Sequence, residues 1–188
     1  PSIMKNNMVK SIEKTNREYS ASIKELKLRY LSQRIKASVA VNTSLLEFYW
    51  SLGKDISEKQ FQNTYGSGFY KKLSADMTRE IPDTRGFSPQ NLRYIKAFYA
   101  LYSEYNQIFP QVAGIFDNNR QRLVDDLKKV PWDHHRRIID KCKDNPRKAY
   151  FYVRKAIENG WSRNVLLNFL DTDLYEREGH SVSNFKAR

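Results

Sequence analysis

One cysteine, three histidines and seven glycines in 188 residues set the first limits on this chain's chemistry. A lone thiol, Cys142, makes no internal disulfide and gives a zinc site at most one thiolate, which suits a reducing, cytoplasmic compartment. His134 and His135 are neighbours, pointing about 100° apart on a helix, and His180 lies in a polar tail, so no zinc or triad set is expected. The glycines build no phosphate loop, because Gly66-Ser67-Gly68 lacks the Lys-Ser/Thr that would follow it. Asp171, Asp173, Glu176 and Glu178 do not converge on one cation and read as a solvated face. An Asp…Glu-x-Lys set following strands, as a metal-dependent nuclease needs, is also missing, and no cofactor is expected. No apolar run reaches membrane-spanning length, and Pro1-Ser2-Ile3-Met4-Lys5 lacks a signal peptide's apolar core, so no membrane partner is expected. Sustained polar–apolar alternation is absent too. The chain therefore reads as all-α, with a short wing-like hairpin inside Phe109 to Phe116 as the one possible exception.

What the chain has is positive charge. The formal net charge is +12 and the isoelectric point about 9.7. An excess of that size attracts polyanions. Residues 1–38 hold nine Lys/Arg against three acids, and residues 120–155 hold twelve against five. With 40% apolar and 13% aromatic residues the chain can still bury a real core.

Residues 1–20 are polar, poorly anchored and expected to fray. From Ser22 the pattern is helical: Ile23, Leu26, Tyr30, Leu31, Ile35 and Val39 recur at spacings of three and four, apart from one adjacent pair. Between Ala37 and Ile56 two stripes run together: Ala37, Val41, Leu45, Phe48 and Leu52, and Asn42, Leu46, Tyr49 and Gly53. That double pattern predicts a long central helix covered on two sides, with Asn42 a buried polar group needing a partner. Phe61 to Ser67 reads as loop, and Phe69 to Ile81 as a helix with Leu73 and Met77 inward. The expected organisation is a basic N-terminus (1–20), a first helical half (21–105), a connector (106–119) and a second half packed on the first (120–185). In the second half, helices are expected over Asp133–Lys143, Arg147–Glu158 and from Ser162 to about Glu178.

Gly86-Phe87-Ser88-Pro89-Gln90-Asn91 is a sharp helix start. Gly86 can adopt positive φ, Ser88 is a good N-cap, and Pro89 sits where a missing N–H costs nothing. Helix, polar turn and capped helix make a helix-turn-helix-like unit, with a turn longer than the minimal one. Ser88, Gln90, Asn91, Arg93 and Tyr94 are the candidates for groove contacts, with Arg85 and Lys96 for phosphates. Arg136, Arg137, Arg147, Lys148 and Arg154 could hold a backbone. Among them Trp132, Tyr150, Phe151 and Tyr152 either stack on bases or belong to the core. Arg163 and Asn164 complete the set, just inside a second cap, Gly160-Trp161-Ser162, that echoes the first.

Several of these stretches also carry a family likeness. Val41-Asn42, Phe48-Tyr49-Trp50, Gly53-Lys54-Asp55-Ile56, Gly86 through Leu92, Pro131-Trp132-Asp133-His134, Gly160 through Leu166 and Leu174-Tyr175-Glu176-Arg177 form a series that runs on to Asn184-Phe185. From about Ser22 to Phe185 the chain resembles the N-terminal helical domain of the YhcG family, a domain of unknown function in bacterial proteins. Tyr65-Gly66 stands where that family usually has Trp-Gly. Those proteins usually continue into a PD-(D/E)xK nuclease domain. The resemblance therefore implies that this chain stops where the nuclease begins and that no catalytic residue falls on it. Two functions are then expected to compete: a nucleic-acid-binding module, for DNA rather than RNA, that positions the nuclease; or a protein-interaction or homodimerisation module using Phe98, Tyr99, Tyr102, Tyr105 and Phe109.

Overall fold

The computed structural model describes residues 2–103 and 116–178, and among these it contains nine α-helices, one 3-10 turn and no strand. The hairpin considered inside Phe109–Phe116, Tyr105, Phe109, His180 and Asn184-Phe185 lie in whole or in large part outside the described residues. α1 spans Ser2–Glu58. Residues 2–20 are therefore helical rather than frayed. No glycine or proline interrupts the chain from Ser2 to Leu52, so nothing in it stops the helix. Contacts divide the chain into residues 1–41 and residues 42–188.

Through residue 41 every described side chain is exposed. Here α1 is held by local bonds such as the Glu25–Arg29 pair (3.5 Å) and the Thr15 hydroxyl donating to the Ser11 carbonyl (3.0 Å). Each exposed pair of that kind contributes only about 0.3–0.5 kcal/mol.

The second unit is organised around α4 (Pro89–Ser103), not around α1 as the double stripe suggested. On α1 one stripe is buried: Leu46, Tyr49, Gly53 and Ile56. On the other, Val41 and Phe48 are exposed and Leu45 and Leu52 only half-buried. The two ends of α4 serve two clusters. Leu92 and Ile95 join Leu46, Tyr49, Ile56 and the buried Phe69 and Tyr70 of α3 (Phe69–Glu80). Phe98, Leu101 and Tyr102 join the core of the helices that follow. Fully burying Leu92 and Ile95 stabilises the fold by roughly 2 kcal/mol apiece. Trp132 packs against both clusters. Close approach sets the α1–α4 contact: a Cβ on Gly53 would stand 2.5 Å from the Ile95 carbonyl oxygen.

Phe61 to Ser67, expected as loop, is a short helix, α2 (Phe61–Tyr65), followed by a 3-10 turn at Gly66–Gly68. The later helices are α5 (Phe116–Lys128), α6 (Trp132–Cys142) and α7 (Pro146–Asn159). The last expected helix divides into α8 (Arg163–Asp171) and α9 (Leu174–Glu178), with Asp173 at φ 54° between them. Asn42 has the partners its position called for. Its side-chain amide donates to the carbonyls of Lys128 and Val130, each at 3.2 Å, answering groups that the end of α5 leaves open.

Candidate nucleic-acid interface

The turn from Ile81 to Ser88 places the start of α4. Gly86 has φ 112°, and a Cβ there would lie 2.7 Å from the Tyr49 hydroxyl, so both backbone and space demand glycine. The Ser88 hydroxyl accepts the Asn91 backbone N–H at 3.1 Å, and Phe87 is buried. The whole Gly-Phe-Ser frame thus fixes the helix.

Asn91 belongs to that frame as well, and cannot reach a groove from where it sits. Its side chain is buried. The amide donates to the Gly86 carbonyl (2.6 Å) and, more weakly, to the Tyr49 hydroxyl (3.4 Å). Its oxygen accepts the Trp132 indole N–H at 2.9 Å. A polar residue in a first helical turn faces inward here because its partners arrive from α1 and α6.

The neighbouring residues do face out. Gln90, Arg93 and Tyr94 line one wall of a cleft of about 640 Å³, and Asp140, Lys143 and Asp144 line the other. The Tyr94 hydroxyl donates to Asp140 at 2.6 Å, and that bond, ahead of burial, raises its pKa. The Arg136 guanidinium lies over the Tyr94 ring, 4.8 Å from its centre, and Arg93 over the Tyr70 ring at 4.9 Å. Each tyrosine shelf holds a cation for roughly 0.5–1 kcal/mol. α4 and α6 therefore meet at one surface carrying Gln90, Arg93, Tyr94 and Arg136.

The remaining candidates do not converge there. Lys96 donates to Gln62 at 3.0 Å. Arg137 and Arg163 share Asp133, at 3.9 and 3.7 Å. Lys148 pairs with Glu176. Arg154 is drawn inward to Asp126 (3.2 Å) and Glu158 (3.0 Å). Arg85, Arg147 and Asn164 are exposed on other segments.

The aromatic residues among the basic ones are core, not stacking platforms. Tyr150, Phe151 and Tyr152 are buried, and the Tyr150 hydroxyl donates to Asp126 at 2.6 Å. Phe98 and Tyr102, candidates for a partner surface, are buried too. Asp126 is a determinant that sequence reasoning missed. It is 2% exposed and organises Tyr150 and Arg154. Its spacing from Leu123, Leu127 and Val130 puts it on their stripe, which is the signal that could have found it. His134 and His135 are buried, bonded to the Trp161 and Leu127 carbonyls at 2.9 and 2.8 Å. Among the described residues no group of His, Cys, Asp and Glu is gathered to hold a metal ion, and no helix is long and apolar enough to cross a membrane.

A helical domain built on one capped central helix, with a mixed-charge cleft at its α4–α6 seam, is the class this architecture defines. The chain belongs to the DUF1016 N-terminal domain family, whose model matches residues 25–177. It is a domain of unknown function in the same family as the YhcG proteins. No curated protein and no solved structure matches the chain.

Proposed function

We propose that this domain binds nucleic acid, DNA in preference to RNA, and positions a nuclease domain that would follow it in the parent protein. The observation that carries the reading is that Arg93 lines the cleft and Arg136 lies over the cleft's Tyr94, each arginine shelved on a tyrosine ring. Two pre-placed guanidiniums suit neighbouring phosphates or a guanine edge. Asp140 and Asp144 on the opposite wall repel phosphate, so the backbone would run along the arginine side and a base edge, through its amino donors, would face the acids. The net charge of +12 supplies the long-range attraction. The nuclease rests on the likeness to YhcG proteins.

The test is a fluorescence anisotropy titration of the full chain with duplex DNA and with RNA, at about 50 and about 200 mM salt. Affinity for DNA should fall steeply with salt. Arg93→Ala with Arg136→Ala should weaken binding and flatten the salt slope by about one unit per lost contact. A chain that binds no DNA at the lower salt refutes the proposal.

A further inference from the structure

Residues 2–41 place a row of apolar side chains in water. Val9, Ile12, Tyr19, Ile23, Leu26 and Tyr30 are all large apolar residues left exposed, Tyr19 at 68% and Ile23 at 46%. Their separations alternate between three and four once Asn16 is counted between Ile12 and Tyr19, and Gln33, Ala37 and Ala40 continue the series. That is a heptad seam sustained over four heptads, the period of a helix meant to lie against another helix. Val9 and Ile23 stand in one set of seam positions, Ile12 and Leu26 in the other. An apolar stripe in water contributes nothing to a helix that is marginal without packing.

We propose that this segment pairs with the same segment of a second copy of the chain, as an antiparallel two-helix coiled coil. The seam is self-complementary in one antiparallel register. There the two polar interruptions meet, Asn16 against the partner's Gln33. Ile23 meets the partner's Leu26, and Tyr19 the partner's Tyr30. The small residues meet large ones, with Ile12 against the partner's Ala37 and Val9 against the partner's Ala40. Flanking the seam, Glu13 faces the partner's Arg34 on both sides of the symmetry axis. A parallel pair in register instead sets Arg29 beside the partner's Arg34, twice.

The size is sufficient. At roughly 100 Å² for each of twelve half-exposed seam side chains, the pair removes on the order of 1,200 Å² from water, the lower end of stable interfaces. Each segment carries nine basic and three acidic residues, so two copies repel one another. Added salt screens that repulsion and should tighten the pair.

The experiment is sedimentation equilibrium on the full chain, with a cysteine map of the register. Twice the chain mass is expected, with tighter association at higher salt. Ile23→Asp with Leu26→Asp should give monomer while the tryptophan bands of the near-UV circular dichroism, which arise only from Trp50, Trp132 and Trp161, are unchanged. Glu13→Arg should weaken the dimer about tenfold, and adding Arg34→Glu to the same chain should restore it. Under oxidation, Val9→Cys alone should not cross-link, whereas Val9→Cys mixed with Ala40→Cys should. Cys142 does not compete, being buried with its thiol pushed up to about 12. A monomer at all salts, a larger assembly, or cross-linking of Val9→Cys with itself overturns the proposal.

Discussion

Asn91→Ala separates a residue that holds the fold from one that reads a ligand. The substitution removes the bonds to the Gly86 carbonyl (2.6 Å) and from the Trp132 indole (2.9 Å), together with the weaker one to Tyr49 (3.4 Å). Leaving a buried polar partner unmet costs about 1–3 kcal/mol. Gly86 and Trp132 are both half-buried, so each recovers part of its lost bond from water, and the loss is shared between them. The sum is a destabilisation of about 2–4 kcal/mol. Urea unfolding followed by tryptophan fluorescence should show a lower midpoint with an unchanged slope, since the surface exposed on unfolding is the same. Gln90→Ala, one residue away and exposed, should stay within about 0.5 kcal/mol. Under conditions where the variant is folded, its salt dependence of DNA binding should match that of the parent. A stable Asn91→Ala protein with weakened DNA binding would refute the assignment and return Asn91 to the interface.

Gly53→Ala should cost about 2 kcal/mol net of its gain in helix propensity, because the new Cβ meets the Ile95 carbonyl oxygen at 2.5 Å and the Tyr99 Cβ at 2.8 Å; a thermal melt reads it directly. Asp126→Asn should cost about 1–3 kcal/mol by leaving Arg154 only its bond to Glu158 and weakening the Tyr150 bond, measured by the same urea titration. Burial, ahead of the opposing bond to Leu127, lowers the His135 pKa from 6.5 to about 4. The unfolded chain therefore takes up a proton as pH falls through 6.5 while the folded chain resists until about 4. Stability is complete above that window and falls by about 3 kcal/mol across it, a slope that His135→Gln should remove from urea midpoints measured between about pH 7.5 and about pH 5.

Local chemistry was the legible part of this fold. Ser88 and Ser162 cap their helices, and Gly86 and Gly160 take positive φ, because each is decided within a few residues of chain. Trp161 folds back on its own helix and stacks on Phe169 at 4.4 Å. Asn42 was also readable, since an asparagine inside an apolar stripe has to find a partner. What remained hidden depends on which neighbour arrives. Asn91 looked like a reading residue because Trp132, its partner, lies 41 residues away. Whether Tyr150 and Trp132 stack on bases or pack in the core stayed open for the same reason. Arg154 counted as surface charge until Asp126, itself drawn into the core, claimed it. Residues 2–20 seemed frayed because they lack anchors within their own unit. The same lack now marks them as a surface awaiting a partner.

The net charge of +12 is, physically, two quantities. Residues 1–41 carry nine basic and three acidic groups, a surplus of six, and the remaining 147 residues carry the other six. The first surplus is spread along a single helix and, in a pair of such helices, opposes association. The second includes the arginines shelved beside the cleft and would favour a polyanion. Salt therefore acts on the two proposals with opposite signs, tightening the helix pair and weakening the nucleic-acid contact. Composition alone reads both as one tendency to bind polyanions. The periodicity of the exposed residues separates them, because a heptad seam calls for a matching seam and a cluster of guanidiniums does not.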